Sequence, residues 1–237
     1  MRHKLLSIAQ RIRLPSICIL CKQFHKSSLA VCTACTDLLP TLESVCTYCA
    51  FPLPDNDYLI CGYCIKKPPH FDSTTIGYRF EEPLRSLVHH FKYQNGLYLG
   101  AFLGQLIFNA WQKQPSYPQC LIPVPMHPKK LKSRGFNQTV ILTRFLAKRM
   151  QLPYDLRSCQ KTVNTTPQAE LNGKKRSKNI QGAFTVKPLP YTHVALIDDL
   201  LTTGSTVNEL AKLLKKSGVQ QVDIWCCART VKKDSIS

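Results

Sequence analysis

The stretch His193-Val194-Ala195-Leu196-Ile197-Asp198-Asp199-Leu200-Leu201-Thr202-Thr203-Gly204-Ser205-Thr206 decides the fold. Its first residues form a short apolar run, the pattern of a strand buried on both faces. The run ends in two carboxylates, and Leu200 and Leu201 bury the turn behind them. Residues 202–206 then supply small hydroxyl side chains and one glycine, which let backbone N–H groups close around an oxyanion. A helix follows over 205–216, with Val207, Leu210, Ala211 and Leu214 on one face and Gly218 as its stop. Its N-terminus adds a positive partial charge. Open α/β sheets bind ligands at this place, beyond the carboxyl end of a parallel strand. Asp198 and Asp199 cannot bind phosphate, but beside a phosphate cradle they suit the hydroxyls of a sugar. The pattern predicts a phosphorylated ribose as ligand. The plainer alternative is that the acids cap a turn and the threonines cap the helix.

Outward from this stretch, strands and helices alternate. Residues 73–80 read as a strand. Pro83 starts a helix with Leu84, Leu87, Val88 and Phe91 at helical spacing. Residues 97–111 read as a second, very apolar helix and 120–124 as a short buried strand. Residues 125–138 are expected to be a polar, basic loop, and 139–150 a helix with Leu142, Phe145, Leu146 and Met150 on one face. Residues 155–182 hold few apolar anchors and predict a long loop or hood. Residues 183–186 and 221–228 complete the strands, with Cys226-Cys227 expected to be a core residue next to an exposed one. The fold class is α/β, a mainly parallel sheet flanked by helices.

The N-terminal quarter is built differently. Eight of twelve cysteines lie between positions 18 and 64, as Cys18/Cys21, Cys32/Cys35, Cys46/Cys49 and Cys61/Cys64. Each pair is C-x-x-C, a turn that points two thiolates at one place, and two such turns complete a tetrahedral S4 zinc site. A disulfide framework would need an oxidising compartment, for which the sequence carries no signal. A redox role would use one such pair beside a βαβ unit. Eight thiolates make two structural Zn2+ sites. Sequential pairing is the simpler arrangement, and pairing of the first with the third is open. With four thiolates per ion no position is left for a reacting water. Lys66-Lys67-Pro68-Pro69 is a stiff boundary. It divides a zinc-binding domain, 1–69, from a second domain, 70–237.

The formal net charge is +18. No globular fold requires that excess, which points to an anionic partner such as nucleic acid, a phosphate-rich ligand or acidic lipid. Residues up to 70 hold eight Lys and Arg and four Asp and Glu. Most of the excess therefore lies in the second domain. Lys129, Lys130, Lys132 and Arg134 form one basic cluster, and Lys174, Lys175, Arg176 and Lys178 another. Eight cations are too many for one small ligand and suit a nucleic-acid backbone. Phe136 and Tyr154 are candidates for base stacking. No apolar run reaches the length of a membrane span, and Gln10, Arg11 and Arg13 interrupt the N-terminal one. The cytoplasm is the expected location.

Residues 194–206 resemble the phosphoribosyl-pyrophosphate (PRPP) signature of type I phosphoribosyltransferases. The resemblance implies that Asp198 and Asp199 contact the ribose hydroxyls and that Thr202, Thr203, Gly204, Ser205 and Thr206 cradle the 5′-phosphate. It further implies PRPP bound with Mg2+, with Pro125 and Arg134 at the pyrophosphate. Three other segments narrow the family. They are Ile122-Pro123-Val124-Pro125-Met126-His127-Pro128 with Arg134-Gly135-Phe136-Asn137-Gln138; Pro167-Gln168 with Arg176, Asn179 and Gly182-Ala183-Phe184; and the cysteine-rich N-terminus. Together they resemble the ComF family of competence proteins along nearly the whole chain. That resemblance implies a factor acting on incoming single-stranded DNA in natural transformation, with protein partners in the uptake machinery. Lys161 stands where many relatives would carry arginine. Two other functions fit the same motifs. One is an active transferase that moves phosphoribose from PRPP to an unknown acceptor, with Lys174 or Lys175 at the leaving group. The other is a zinc-ribbon adaptor on an inactive fold.

Overall fold

A computed structural model describes residues 15–55, 57–113, 116–164, 180 and 182–231. The elements of the N-terminal part are small: β1 (Ser16–Ile17), β2 (Phe24–His25), α1 (Thr33–Asp37) and α2 (Gly62–Lys66). The rest runs β3 (Ser73–Thr75), β4 (Tyr78–Arg79), α3 (Leu84–Tyr93), a 3-10 turn (Leu97–Leu99), α4 (Gly100–Lys113), β5 (Cys120–Pro123), α5 (Pro128–Arg134), α6 (Gln138–Met150), β6 (Cys159–Lys161), β7 (Phe184–Val186), β8 (His193–Leu201), α7 (Ser205–Lys216) and β9 (Gln221–Arg229). The central sheet has the order β3-β9-β8-β5, with β4 also on β9, and every pairing in it is parallel.

Strand alternation assigns the two faces. Leu121, Ala195, Ile197, Trp225 and Cys227 face one core with α3, α4 and α6. Cys120, Ile122, Val194, Leu196, Ile224 and Cys226 face the other with α7 and the β6–β7 pair. A parallel sheet covered on both sides leaves no wet face. That corrects the expectation that one of Cys226 and Cys227 is exposed: both are fully buried, and burial pushes both thiols well above their usual range. The N-terminal edge of the sheet holds one buried charge. Asp223 accepts from Ser73 Oγ at 2.8 Å and lies 2.7 Å from His193 Nε2.

Other expectations change in detail. The strand over 73–80 is two short strands. A Cβ at the intervening Gly77 would stand 3.2 Å from Ala110 Cβ, and the Gly77 carbonyl accepts from Leu42 N at 2.9 Å instead of joining the ladder. The helix over 97–111 begins with the 3-10 turn. Residues 125–138 are not all loop: 128–134 form α5, with Pro128 in the first turn, His127 Nδ1 accepting from Lys129 N at 3.2 Å, and Gly135 closing it at φ +83°. The hood segment contains β6, paired antiparallel with β7. β8 continues past the acidic pair to Leu201, because β9 pairs with it along that whole length.

Among the described residues no helix is long and apolar enough to cross a membrane. Val31 and Leu39 share the buried cluster of α3 and α4, and Leu42 and Ala50 that of α7. The small N-terminal part therefore lies against the sheet.

Candidate functional site

The four C-x-x-C turns pair in sequence. Cys18, Cys21, Cys32 and Cys35 form one cluster, and Cys46, Cys49, Cys61 and Cys64 the other, each with all its sulfurs within 4.8 Å. Cys21 and Cys32 Sγ are 3.8 Å apart, and Cys49 and Cys61 Sγ 3.7 Å. Tetrahedral Zn–S bonds of about 2.3 Å require sulfur separations of about 3.8 Å, so the donor sets fit zinc. Within the clusters the thiols are split. Burial and neighbouring thiols push Cys35 and Cys64 up to about 12, and the Cys46 thiol and burial raise Cys49 as well, while one sulfur of each cluster is held low. Burial opposes charge on Cys18, yet the N–H groups of Cys21, Cys32 and Leu20 hold it near 6. Cys46, bonded by Cys49 and by backbone N–H groups, is held near 4. Each cluster thus has a sulfur ready to meet a cation.

At the other end of the chain, Asp198, Leu200, Leu201, Thr202, Gly204, Ser205, Thr206 and Val207 line a small cleft of about 30 Å3. Gly204 precedes α7 at φ +75°, a left-handed conformation open mainly to glycine. Thr203 Oγ1 and Ser205 Oγ are 2.9 Å apart across this turn. The cleft therefore combines a helix N-terminus, hydroxyls and one half-buried carboxylate, Asp198. Burial and the neighbouring Asp199 carboxylate push the Asp198 carboxyl up. Asp199 does not line the cleft. It is 4% exposed, and its Oδ2 lies 2.7 Å from Lys92 Nζ.

The basic residues divide by exposure. On α5, Lys129 and Lys132 are exposed, while Lys130 and Arg134 are half-buried. Arg134 donates to Gln138 Oε1 at 2.8 Å, and its guanidinium stands 4.8 Å from the centre of the Tyr93 ring. Pro125 lies half-buried between β5 and α5. On β6, Lys161 is near enough to Lys130 and Asp198 for both charges to act on it. Burial first, and then Lys130, lower Lys161 to about 8, with Asp198 opposing. Phe136 packs on Phe91 with ring centres 6.0 Å apart. Phe136 is half-buried against the core, whereas Tyr154 is 43% exposed. Lys174, Lys175, Arg176 and Lys178, with Pro167, Gln168 and Asn179, lie outside the described residues.

The double zinc ribbon domain model matches residues 9–65. Competence protein F of Haemophilus influenzae is 35% identical over 178 residues, covering 71% of this chain and 78% of that protein. The chain belongs to the ComF family of competence proteins. A second ComF-like relative, the DNA utilization protein YhgH of Shigella flexneri, is 29% identical over 93% of this chain and 100% of its own. Among solved structures, a purine phosphoribosyltransferase from Pyrococcus horikoshii aligns with 54% of this chain and 80% of its own, at 18% identity and a TM-score of 0.29.

Two residues of this ComF chain hold residues at the end of β8 without having been singled out in the sequence. Lys92, in the last turn of α3, carries the ion pair to Asp199. Arg229, the last residue of β9, is buried, and its guanidinium joins ribbon to cleft. Nε donates to the Cys49 carbonyl at 3.0 Å. Nη1 donates to the carbonyls of Leu201 and Thr230, each at 3.1 Å, and to that of Thr202. Sequence signals existed for both. Lys92 continues the apolar stripe of Leu84 and Val88 at four-residue spacing, and Arg229 is a charge that ends the apolar run 224–228.

Proposed function

We propose that this chain binds single-stranded DNA and PRPP during the uptake of exogenous DNA. The observation that carries the ligand reading is the cleft at the end of β8. It offers N–H groups and hydroxyls of residues 202–206 to a 5′-phosphate and a carboxylate to ribose hydroxyls. Both Asp198 and Asp199 stand at this strand end, and Pro125, just after β5, and Arg134, at the end of α5, are the candidates for the pyrophosphate in this reading. PRPP enters with Mg2+, which would offset part of the ligand's charge next to the acids. The two zinc ions hold the ribbons and take no part in reaction. The nucleic-acid reading rests on the excess positive charge, on Lys129 and Lys132 exposed along α5, and on the names carried by the relatives. In this reading Lys174, Lys175, Arg176 and Lys178 also contribute charge for the nucleic acid, and the chain works with protein partners in the uptake machinery.

Titration of zinc-loaded protein with labelled single-stranded DNA, with and without PRPP–Mg2+, at two salt concentrations, tests both parts. The expected result is salt-sensitive binding that PRPP alters. Replacing Lys129, Lys130 and Lys132 with Ala should lower the logarithmic salt slope by about 2, since each single-strand phosphate contact contributes roughly 0.7. An unchanged slope moves the DNA site away from α5. PRPP binding without DNA binding favours instead an active phosphoribosyltransferase, which the intact 202–206 loop permits.

A further inference from the structure

We infer that Tyr93 and Arg134 form the stacking platform for single-stranded DNA, at the seam between the end of α3 and α5. This deepens the DNA reading above and rests on it. Three observations carry it. First, Tyr93 ends α3 outside both core clusters and is 62% exposed. Second, its ring is nevertheless held in place. The Arg134 guanidinium stands 4.8 Å from the ring centre, and His89 packs beside it with ring centres 4.9 Å apart. Arg134 is fixed in turn by its 2.8 Å bond to Gln138. Third, residues 83–154, which supply both helices, hold ten Lys and Arg and no Asp or Glu. Lys129 and Lys132 are exposed on α5, within about 8 Å of Arg134 along the helix axis.

The chemistry identifies the partner. An aromatic ring that is already positioned stacks a base at little entropic cost. A guanidinium beside it serves the base face and the phosphate alike. A stretch without carboxylates attracts a polyanion. An unpaired strand offers free base faces together with a run of phosphates, whereas a duplex keeps its bases stacked on one another. PRPP carries phosphates but no base to stack. An anionic membrane would use a broad apolar face, and here a cation stands over the ring. Phe136, two residues beyond Arg134, turns inward onto Phe91, so the ring that meets this arginine comes from α3. Arg134 is also the pyrophosphate candidate, so the two ligands meet at one guanidinium in this reading.

Binding of labelled oligothymidine by the full-length, zinc-loaded protein at two salt concentrations tests this. Tyr93→Leu should lose roughly tenfold in affinity at both salts, the worth of one stacked base. Its salt slope should equal that of wild type, because the lost ring carries no charge. Tyr93→Phe, which keeps the ring, should bind within about threefold of wild type. Both substitutions fall on an exposed side chain, and zinc content with near-UV tryptophan signal checks that the variants are folded. If Tyr93→Leu binds as wild type does, or if Tyr93→Phe binds as poorly as Tyr93→Leu, the inference fails. Unchanged DNA affinity with weaker binding to vesicles of equal parts phosphatidylcholine and phosphatidylglycerol would assign the seam to an anionic membrane and overturn it as well. Absence of DNA binding by wild type overturns the parent reading and this one with it, whereas binding by wild type that Tyr93→Leu leaves unchanged overturns this one alone.

Discussion

The ribbons and the sheet solve the same burial problem by different chemistry. The sheet domain covers its strands on both faces with apolar side chains from α3, α4, α6 and α7. The second ribbon's own cluster is Cys46, Cys61 and Cys64, with Tyr48, Cys49, Phe51, Leu53 and Ile60 partly buried around them. A segment this short cannot remove enough apolar surface from water to offset its chain entropy, and metal–thiolate bonds substitute for a core. One half therefore folds by composition and the other by ligation. Arg229 is where the two meet.

The strongest way to separate the halves is to remove the metal. Zinc bound by structural thiolates contributes on the order of 10 kcal/mol. Chelation should unfold the ribbons, seen as titration of eight reactive thiols, while near-UV signal from Trp225 persists. Loss of the tryptophan signal in the same transition would mean that the sheet has no independent core. The reciprocal change is Trp225→Ala, which empties a fully buried site. It should cost about 3–5 kcal/mol in denaturant unfolding and leave zinc content at two per chain.

A milder break lies at the junction. Arg229→Met leaves the carbonyls of Cys49, Leu201 and Thr202 without their shared donor and should cost about 2 kcal/mol. PRPP affinity should fall roughly tenfold with both zinc ions retained, because the carbonyls released belong to the phosphate loop. Unchanged affinity would show that the loop holds its shape without the ribbon.

The smallest effect concerns Lys161. Its folded value, about 8, lies below that of a free lysine, so the unfolded chain binds more protons between these two values. Stability of the ligand-free protein should therefore rise with pH from about 8 to about 10.5, where the buried ammonium is no longer forced to stay charged. PRPP affinity should move the other way, falling by up to about tenfold per unit above pH 8 as the cation is lost. Lys161→Arg should flatten the affinity profile, since a guanidinium stays charged. A wild-type profile already flat between pH 7 and 9 would remove Lys161 from the anion site.

Much of this molecule can be read from its residues, and the parts that cannot have physical causes. The apolar run before Asp198 marks a buried strand because period and composition agree there. The C-x-x-C spacing marks metal sites because two thiolates at that separation have few other uses. Spacing could not choose the pairing order, since sequential and alternate partners satisfy it equally. Helix α5 was hidden by its own charge. Lys129, Lys130, Lys132 and Arg134 suggest a solvated loop, yet Pro128 before them and Gly135 after them are start and stop signals for a short helix. Lys92 was hidden for the opposite reason: a lysine on an apolar stripe reads as a side chain reaching for water, and its partner lies 107 positions away in sequence.

The different contacts of the two acids have a consequence for how the family can change over time. Asp198 and Asp199 are neighbours in the chain but belong to separate neighbourhoods, one governed by α7 and its loop, the other by α3. Substitutions at the two positions should therefore be inherited independently. Position 199 should drift in step with position 92, carboxylate and ammonium lost together, while position 198 holds its acid for as long as the cleft keeps its ligand.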